Sequence, residues 1–477
     1  MARHLSQTTT DRLRLTATFS AVVVAGLLAT ACGQAATPTA AKKPQLRVWE
    51  LNHEIDLAQT VADELIGENA DIQFSFKNKT LDGYELSSLK SLSGRQGPDV
   101  WTLPDDWLGD HSLRIQPLPT NYYTDESGTV SDLVKKVSEL YPSGIVNQIL
   151  STDGKQVLAI PSTVDSLQLF YNPEILKTAL EEYVQSLGED GTDEQINPVA
   201  QLLDAPPATW SDLAEQVKYL TKRSGKDITR SAVALGSAEN VPYAADILQL
   251  LVLQNGGKIV STDRRSPLFD VPETTPAGVS VRPGENALDF YAAFAQSDKP
   301  TYSWNPSMPQ ALDAFGQGKV AMIIGFSDLG RAIAEKYPQL DFDVAAVPQI
   351  STATLQSPVN LIRFNSQVIT KTADNANLAT AFLKLYTDET ATNSLASAAY
   401  VRFPLRSPFK SVLESNKDDI LNKQVLTGTA VWKKHREQFD QAFRQMIIDV
   451  TQNGLSTSAA MRSGSDKVAQ FLLSEDE

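Results

Sequence analysis

Between Gln45 and Phe76 the hydrophobic period of the chain changes from two to 3.6 and back to two. Gln45-Leu46-Arg47-Val48-Trp49 alternates as a strand does. Leu57, Val61 and Leu65, with Ala58 and Ala62, then recur at helical spacing, and Ile72-Gln73-Phe74-Ser75-Phe76 alternates again. This βαβ succession needs a sheet with helices laid against it. Val100-Trp101, Val157 to Ile160, Leu167 to Phe170, Val320 to Ile324 and Gln367 to Ile369 supply further short strands with helical segments between them, so the fold class is α/β. Thr209-Trp210-Ser211-Asp212 matches a helix-capping pattern, and Pro206-Pro207 blocks any helix before it, which predicts a helix from Trp210 to Lys222. The acidic stretch 181–204 reads as a helix end running into a solvated surface loop. Residues 261–286, with four prolines, read as an irregular excursion.

Size and charge narrow the function classes. A chain of 477 residues with 42% apolar side chains can bury two or three domain cores, which excludes a disordered tail protein or a small stapled domain. A formal charge of −15 argues against nucleic acid as a partner. The single cysteine, Cys32, leaves no internal disulfide or Cys-based zinc site, and four scattered histidines do not suggest a metal centre.

Arg3, His4, Arg12 and Arg14 precede an apolar run from Phe19 to Ala31 that is too short to span a bilayer, so residues 1–31 read as a signal peptide. Leu28-Ala29-Thr30-Ala31-Cys32-Gly33 resembles a bacterial lipobox, with Ala29 where leucine is usual, and this resemblance implies lipidation of Cys32. Residues 32–44 lack the hydrophobes for a core and read as a flexible tether.

Catalytic signatures are weak. Gly325-Phe326-Ser327-Asp328-Leu329-Gly330 misses the nucleophile-elbow spacing by one residue, and His53-Glu54 lacks the second histidine of a zinc-protease pair. A glycosidase pair of carboxylates leaves no sequence spacing, and 57 acidic residues offer many choices.

Seven local patterns in order carry a resemblance. They are Leu46-Arg47-Val48-Trp49; Gly97-Pro98-Asp99-Val100; Asp153-Gly154-Lys155 leading through Ala159-Ile160-Pro161 to Leu169-Phe170-Tyr171-Asn172; and Pro207 to Asp212. Gln254-Asn255-Gly256-Gly257, Ala314 to Met322 and Val344 to Pro348 follow. Together they resemble the extracellular solute-binding proteins of ABC importers, in the carbohydrate-binding family that includes the maltodextrin-binding proteins. The acidic insert before Thr209 and the excursion after Lys258 depart from that pattern.

The resemblance implies an α/β, two-lobed periplasmic-binding-protein-like fold, each lobe a mixed sheet flanked by helices, joined by crossing hinge strands. Lobe 1 would comprise 45–160 and 322–368, and lobe 2 161–321 and 369–477. It implies a monomeric receptor, without catalysis or cofactor, on the extracytoplasmic face of the cell membrane and held there by its lipid alone. That receptor would capture a carbohydrate and deliver it to ABC permease subunits with a separate ATPase. A polyamine, polyol phosphate or peptide on the same scaffold is one alternative, and a surface-anchored two-carboxylate enzyme another.

Sugars present apolar faces and hydroxyl rims, so their sites combine aromatic rings with planar donors and acceptors. On the resemblance, Asn52, Asp106 and Trp107 fall on ligand-contacting loops, although Asn52 equally suits a helix N-cap. Asp165 matches a sugar-binding acid, with a hinge hydrogen bond as its other reading. Tyr243 would start a cleft-facing helix, and Trp304 lies in a polar loop where a core ring is less expected. Phe326 could cover the ligand or pack under the hinge. Tyr400 and Arg402 bracket a segment returning toward the cleft, where Arg402 could fork two hydroxyls or pair with a surface acid.

Overall fold

The computed structural model describes residues 43–51, 55–68, 71–124, 132–225, 227–351, 355, 357–387, 405–406 and 420–474. The strands in chain order are β1 (Gln45–Leu51), β2 (Gln73–Lys79), β3 (Val100–Pro104), β4 (Ile115–Gln116), β5 (Ile160–Ser166), β6 (Gln168–Tyr171), β7 (Lys222–Ser224) and β8 (Asp227–Val233). There follow β9 (Glu273–Thr274), β10 (Ser280–Val281), β11 (Val320–Gly325), β12 (Asp343–Ala346), β13 (Ile362–Thr370) and β14 (Leu405–Arg406). One mixed sheet runs β14-β5-β13-β3-β1-β2 with β4 beside β13, and a second runs β12-β6-β11-β8-β7. Each sheet has its own apolar core, the first around Val48, Trp101, Val164 and Phe382, the second around Phe170, Leu248, Met322 and Phe443. The expected βαβ opening is present: β1 and β2 pair in parallel with the helix Ile55–Glu68 between them.

Local chemistry sets the helix starts. Asn172 accepts from the amides of Glu174 and Ile175 ahead of Pro173, which begins the helix Pro173–Leu187. Thr209 and Asp212 form a reciprocal capping box on the helix Trp210–Leu220. The acidic stretch differs from its expected loop, because a second capping box, Thr192 with Gln195, opens a helix over Asp193–Leu203 whose Val199 and Leu203 are buried. The excursion at 261–286 contains the β9–β10 hairpin and ends where Pro283 starts the helix Pro283–Ala293.

Strand pairing divides the chain differently from the boundaries expected at 160/161, 321/322 and 368/369. β5 stays in the first sheet through Ser166, and the change of sheet falls at Leu167. β11 lies in the second sheet against β6 and β8, β12 follows in that sheet, and the return to the first sheet comes between Ala346 and Ile362. Val368 lies inside β13, and the next helix, Ala376–Tyr386, buries Leu378, Phe382 and Leu383 in the first core. The helices Arg436–Thr451 and Thr457–Leu473 join the second core through Phe439, Phe443, Met461 and Val468.

Three crossings therefore meet. The Leu167 amide donates to the Leu361 carbonyl at 3.1 Å, and the Ile362 amide to that of Thr429 at 3.1 Å. Buried Asn360 ties them: its side-chain amide donates to the Leu167 carbonyl at 3.0 Å, its Oδ1 accepts from the Leu361 amide at 2.8 Å, and its carbonyl accepts from Thr429 at 2.9 Å. Asn360→Ala strands the Leu167 carbonyl and the Leu361 amide in a dry junction, and an unmade buried hydrogen bond costs about 1–3 kcal/mol. The variant is expected to lose roughly 2–4 kcal/mol of stability in urea-unfolding midpoints, with secondary structure retained.

Candidate functional site

A cleft of about 670 Å³ lies between the sheets. From the first sheet come the turn after β3, where Pro104 ends the strand and Asp105, Asp106 and Trp107 follow, and the paired strands β5 and β13 with Asp165 and Arg363. The facing wall carries Tyr243, Asp246 and Gln249 near or on the helix Ala244–Gln254, and Phe326, Ser327 and Asp328 where β11 passes into the helix Ser327–Lys336. Lys433, Arg436, Asp440 and Arg444, on and just before the helix Arg436–Thr451, close the third side.

Asp165 and Arg363 are register partners on adjacent antiparallel strands, which puts both side chains on one face. Asp165 accepts from the amide and hydroxyl of Ser327 at 3.1 and 2.7 Å, so a carboxylate from the first sheet holds the N-terminus of a helix on the second. Arg363 donates to Asp328 at 2.7 Å and lies 3.4 Å from Asp165. Tyr243 donates its hydroxyl to the same Asp328 oxygen at 2.7 Å. The Arg363 side chain lines the cleft and is 37% exposed. Burial pushes the Asp165 carboxyl up, opposed by the charge of Arg363 and by Ser327.

The second polar group centres on Lys433, whose ammonium lies 2.7 Å from Asp440 and 3.6 Å from Asp246. Gly109 permits this placement: a Cβ there would stand 2.2 Å from the Lys433 carbonyl oxygen, so only glycine lets that backbone lie against the turn carrying Asp106 and Trp107. Burial alone would lower the Lys433 pKa, but Asp440, Asp246 and Asp106 outweigh it and hold the amine protonated. Asp105 accepts from the Phe364 amide at 3.1 Å. Burial first, then the charge of Asp106, raises Asp105, and burial likewise raises Asp106 and Asp246. Among the described residues no group of three or more His, Cys, Asp or Glu side chains is placed to hold a metal ion.

Of the residues singled out in the sequence, Asp106, Trp107, Asp165, Tyr243 and Phe326 come together on this cleft. Cys32, Asn52, Tyr400 and Arg402 lie outside the described residues. Trp304 is a correction: it is fully buried in the second core, because Asn240 accepts its indole N–H at 2.9 Å and donates to the carbonyls of Asn305 and Met308 in the same loop. The rings that do reach the cleft are not open platforms. Arg436 stands over Trp107 at 4.3 Å and Arg363 over Phe326 at 4.0 Å, and the two aromatic residues are 1% and 2% exposed.

Sequence reasoning missed Asp246, Gln249, Asp328, Arg363, Lys433 and Asp440. Two had a signal: Asp246 and Gln249, three apart, interrupt an otherwise apolar run between Ala244 and Leu253 and share one face of that helix.

Glu85 anchors the guanidinium that covers Trp107, meeting Arg436 at 3.0 Å and His111 at 2.9 Å. The His111 hydrogen bond, then that of Arg436, outweigh burial and hold the Glu85 carboxyl down at about 2. Its contribution to stability is present above the ordinary value of 4.5 and is lost as pH falls toward 2. Glu85→Gln is expected to cost roughly 1–2 kcal/mol at pH 7, and the gap to the unaltered protein in melting temperature narrows as pH is lowered from 5 to about 3. Trp304→Ala is expected to cost about 3–5 kcal/mol in unfolding experiments and to leave the affinity of the folded protein for its ligand unchanged.

No curated protein matches the chain by sequence search. Solved structures match its fold over nearly its whole length. A cyclo/maltodextrin-binding protein complexed with maltotetraose aligns at TM-score 0.64 and 15% identity, covering 92% of this chain and all of the other. A sugar-binding protein from Xanthomonas citri aligns at 0.63 and 16%, covering 90% and 97%. An ABC-transporter solute-binding protein from Thermotoga lettingae, bound to α-D-tagatose, aligns at 0.61 and 17%, covering 90% and 100%. The fold is thus the two-lobed one of periplasmic binding proteins. The family model for bacterial extracellular solute-binding proteins matches residues 61–424, and with the cleft between the two sheets this places the chain in that family.

Proposed function

We propose that the chain is the receptor of an ABC importer, which captures a carbohydrate in the cleft and delivers it to permease subunits powered by a separate ATPase. The observation that carries this reading is the cleft itself, to which both sheets contribute planar donors and acceptors: Asp106, Asp165 and Arg363 from one side, Asp246, Gln249 and Asp328 from the other. A ligand bridging the two walls gains contacts only when both approach it, so its differential affinity shifts the population toward the closed form that the permease reads. The solved proteins of like fold that bind maltotetraose and tagatose lend support to a sugar ligand.

Cleavage after residue 31 and lipidation of Cys32 would tether this receptor to the extracytoplasmic face of the membrane. No helix among the described residues is long and apolar enough to cross a bilayer, which fits attachment through residues 32–44.

A thermal-shift screen of the purified protein against mono- and oligosaccharides, with polyamines, polyol phosphates and peptides as competing classes, tests the reading. A ligand at about 100 times its Kd adds roughly 2.7 kcal/mol, equivalent to a rise of about 3 °C for a body of this size. The expected result is a shift confined to sugars, without product formation, and lost in Arg363→Ala. A shift only with another class overturns the carbohydrate assignment, and glycoside turnover overturns the receptor reading.

A further inference from the structure

The charges on the Lys433 side of the cleft do not balance. Asp106 from the turn after β3, Asp246 from the helix Ala244–Gln254 and Asp440 from the helix Arg436–Thr451 all face a single ammonium. Of the other cations lining the cleft among the described residues, Arg331 is exposed on the helix Ser327–Lys336, and three are engaged elsewhere. Arg436 is held by Glu85 at 3.0 Å and Arg363 is shared between Asp165 and Asp328, while Arg444 gives its N–H groups to the carbonyls of Ala238 and Pro242 at 2.7 and 2.5 Å and offers Asp246 charge but no hydrogen bond.

A second observation points the same way. Gln249 is fully buried on the cleft wall and reaches into this group, giving its side-chain N–H to Asp440 at 3.2 Å. Its Oε1 has no donor among the described residues. The site is therefore rich in acceptors and short of both N–H donors and positive charge. A hydroxyl supplies a donor without cancelling charge, whereas a protonated amine supplies up to three donors and the charge as well.

We propose that the solute is a carbohydrate bearing a basic amine, whose ammonium group binds beside Lys433 among Asp106, Asp246 and Asp440. This rests on the reading of the cleft as a carbohydrate site and narrows it to amino sugars and amine-containing oligosaccharides. Burial raises the proton affinity of Asp105, Asp106 and Asp246, and Lys433 with the neighbouring arginines opposes that rise only in part.

The test is isothermal titration of the unaltered protein with matched pairs: amino sugars and deacetylated chito-oligosaccharides, each against its N-acetylated form, alongside maltodextrins and spermidine. The amine form is expected to bind at least tenfold tighter than its acetylated partner, with an affinity that falls as salt is raised. Asp440→Asn and Asp246→Asn are each expected to reduce that preference by tenfold or more while retaining the thermal unfolding transition. Equal or tighter binding of the acetylated or neutral sugars overturns the amine assignment and leaves the carbohydrate reading standing. Binding of spermidine with no sugar of either kind overturns both, and binding of none of these probes also overturns the amine assignment.

Discussion

Asn360 fixes where the described chain segments pass from one sheet to the other, and the position of every cleft residue on β5 and β13 depends on that point. Its amide holds the Leu167 crossing, its Oδ1 the Leu361 crossing, and its carbonyl the Thr429 crossing. A strand displaced by one residue turns each of its side chains to the opposite face. A one-residue slip of β5 at this junction would take Asp165 and its contact to Ser327 out of the cleft, and a slip of β13 would take Arg363 and its contact to Asp328. The hydrogen bonds of one buried amide thus support both the division into lobes and the polar floor between them.

That floor changes what the aromatic residues do. In a carbohydrate site an exposed ring face offers an apolar platform. Here guanidinium groups occupy the faces of Trp107 and Phe326, and each arginine is itself held by a carboxylate, Arg436 by Glu85 and Arg363 by Asp328. The rings serve as apolar backing that orients the arginines, while charged groups form much of the surface a solute meets. Tyr243 combines both roles, since its ring packs edge-on against Phe326 at 5.4 Å and its hydroxyl is bonded to Asp328.

Where structure follows from local chemistry, the sequence was legible. The β1–helix–β2 opening, the capping box at Thr209 and Asp212, and the strands around Leu169 and Met322 follow from period and capping alone. Asp193–Leu203 departs from the expected loop because the run of acids masks the Thr192–Gln195 capping box that starts its helix. Trp304 was misjudged because a polar loop sequence does not reveal that Asn240, 64 residues earlier, supplies the indole's partner. The Lys433 group was illegible for a related reason: its members come from three separate segments, and only the folded chain brings Asp106 near Asp440. The divisions between lobes were also misplaced, because an apolar strand such as β11 carries no mark of which sheet it joins.

The same convergence bears on how the cleft would close. Asp106 stands in the turn after β3 of the first sheet, while Asp246 and Asp440 stand on helices of the second core. Like charges on opposite walls repel more strongly as the walls approach, and exclusion of water reduces the screening between them. Lys433 offsets part of that repulsion from a backbone docked against Gly109, on the first wall, and so joins the two sides before any solute arrives. A neutral ligand would have to overcome the remaining repulsion through hydrogen bonds alone. A cationic one would replace it with attraction to both walls at once, so closure would respond to the charge of the solute as well as to its shape.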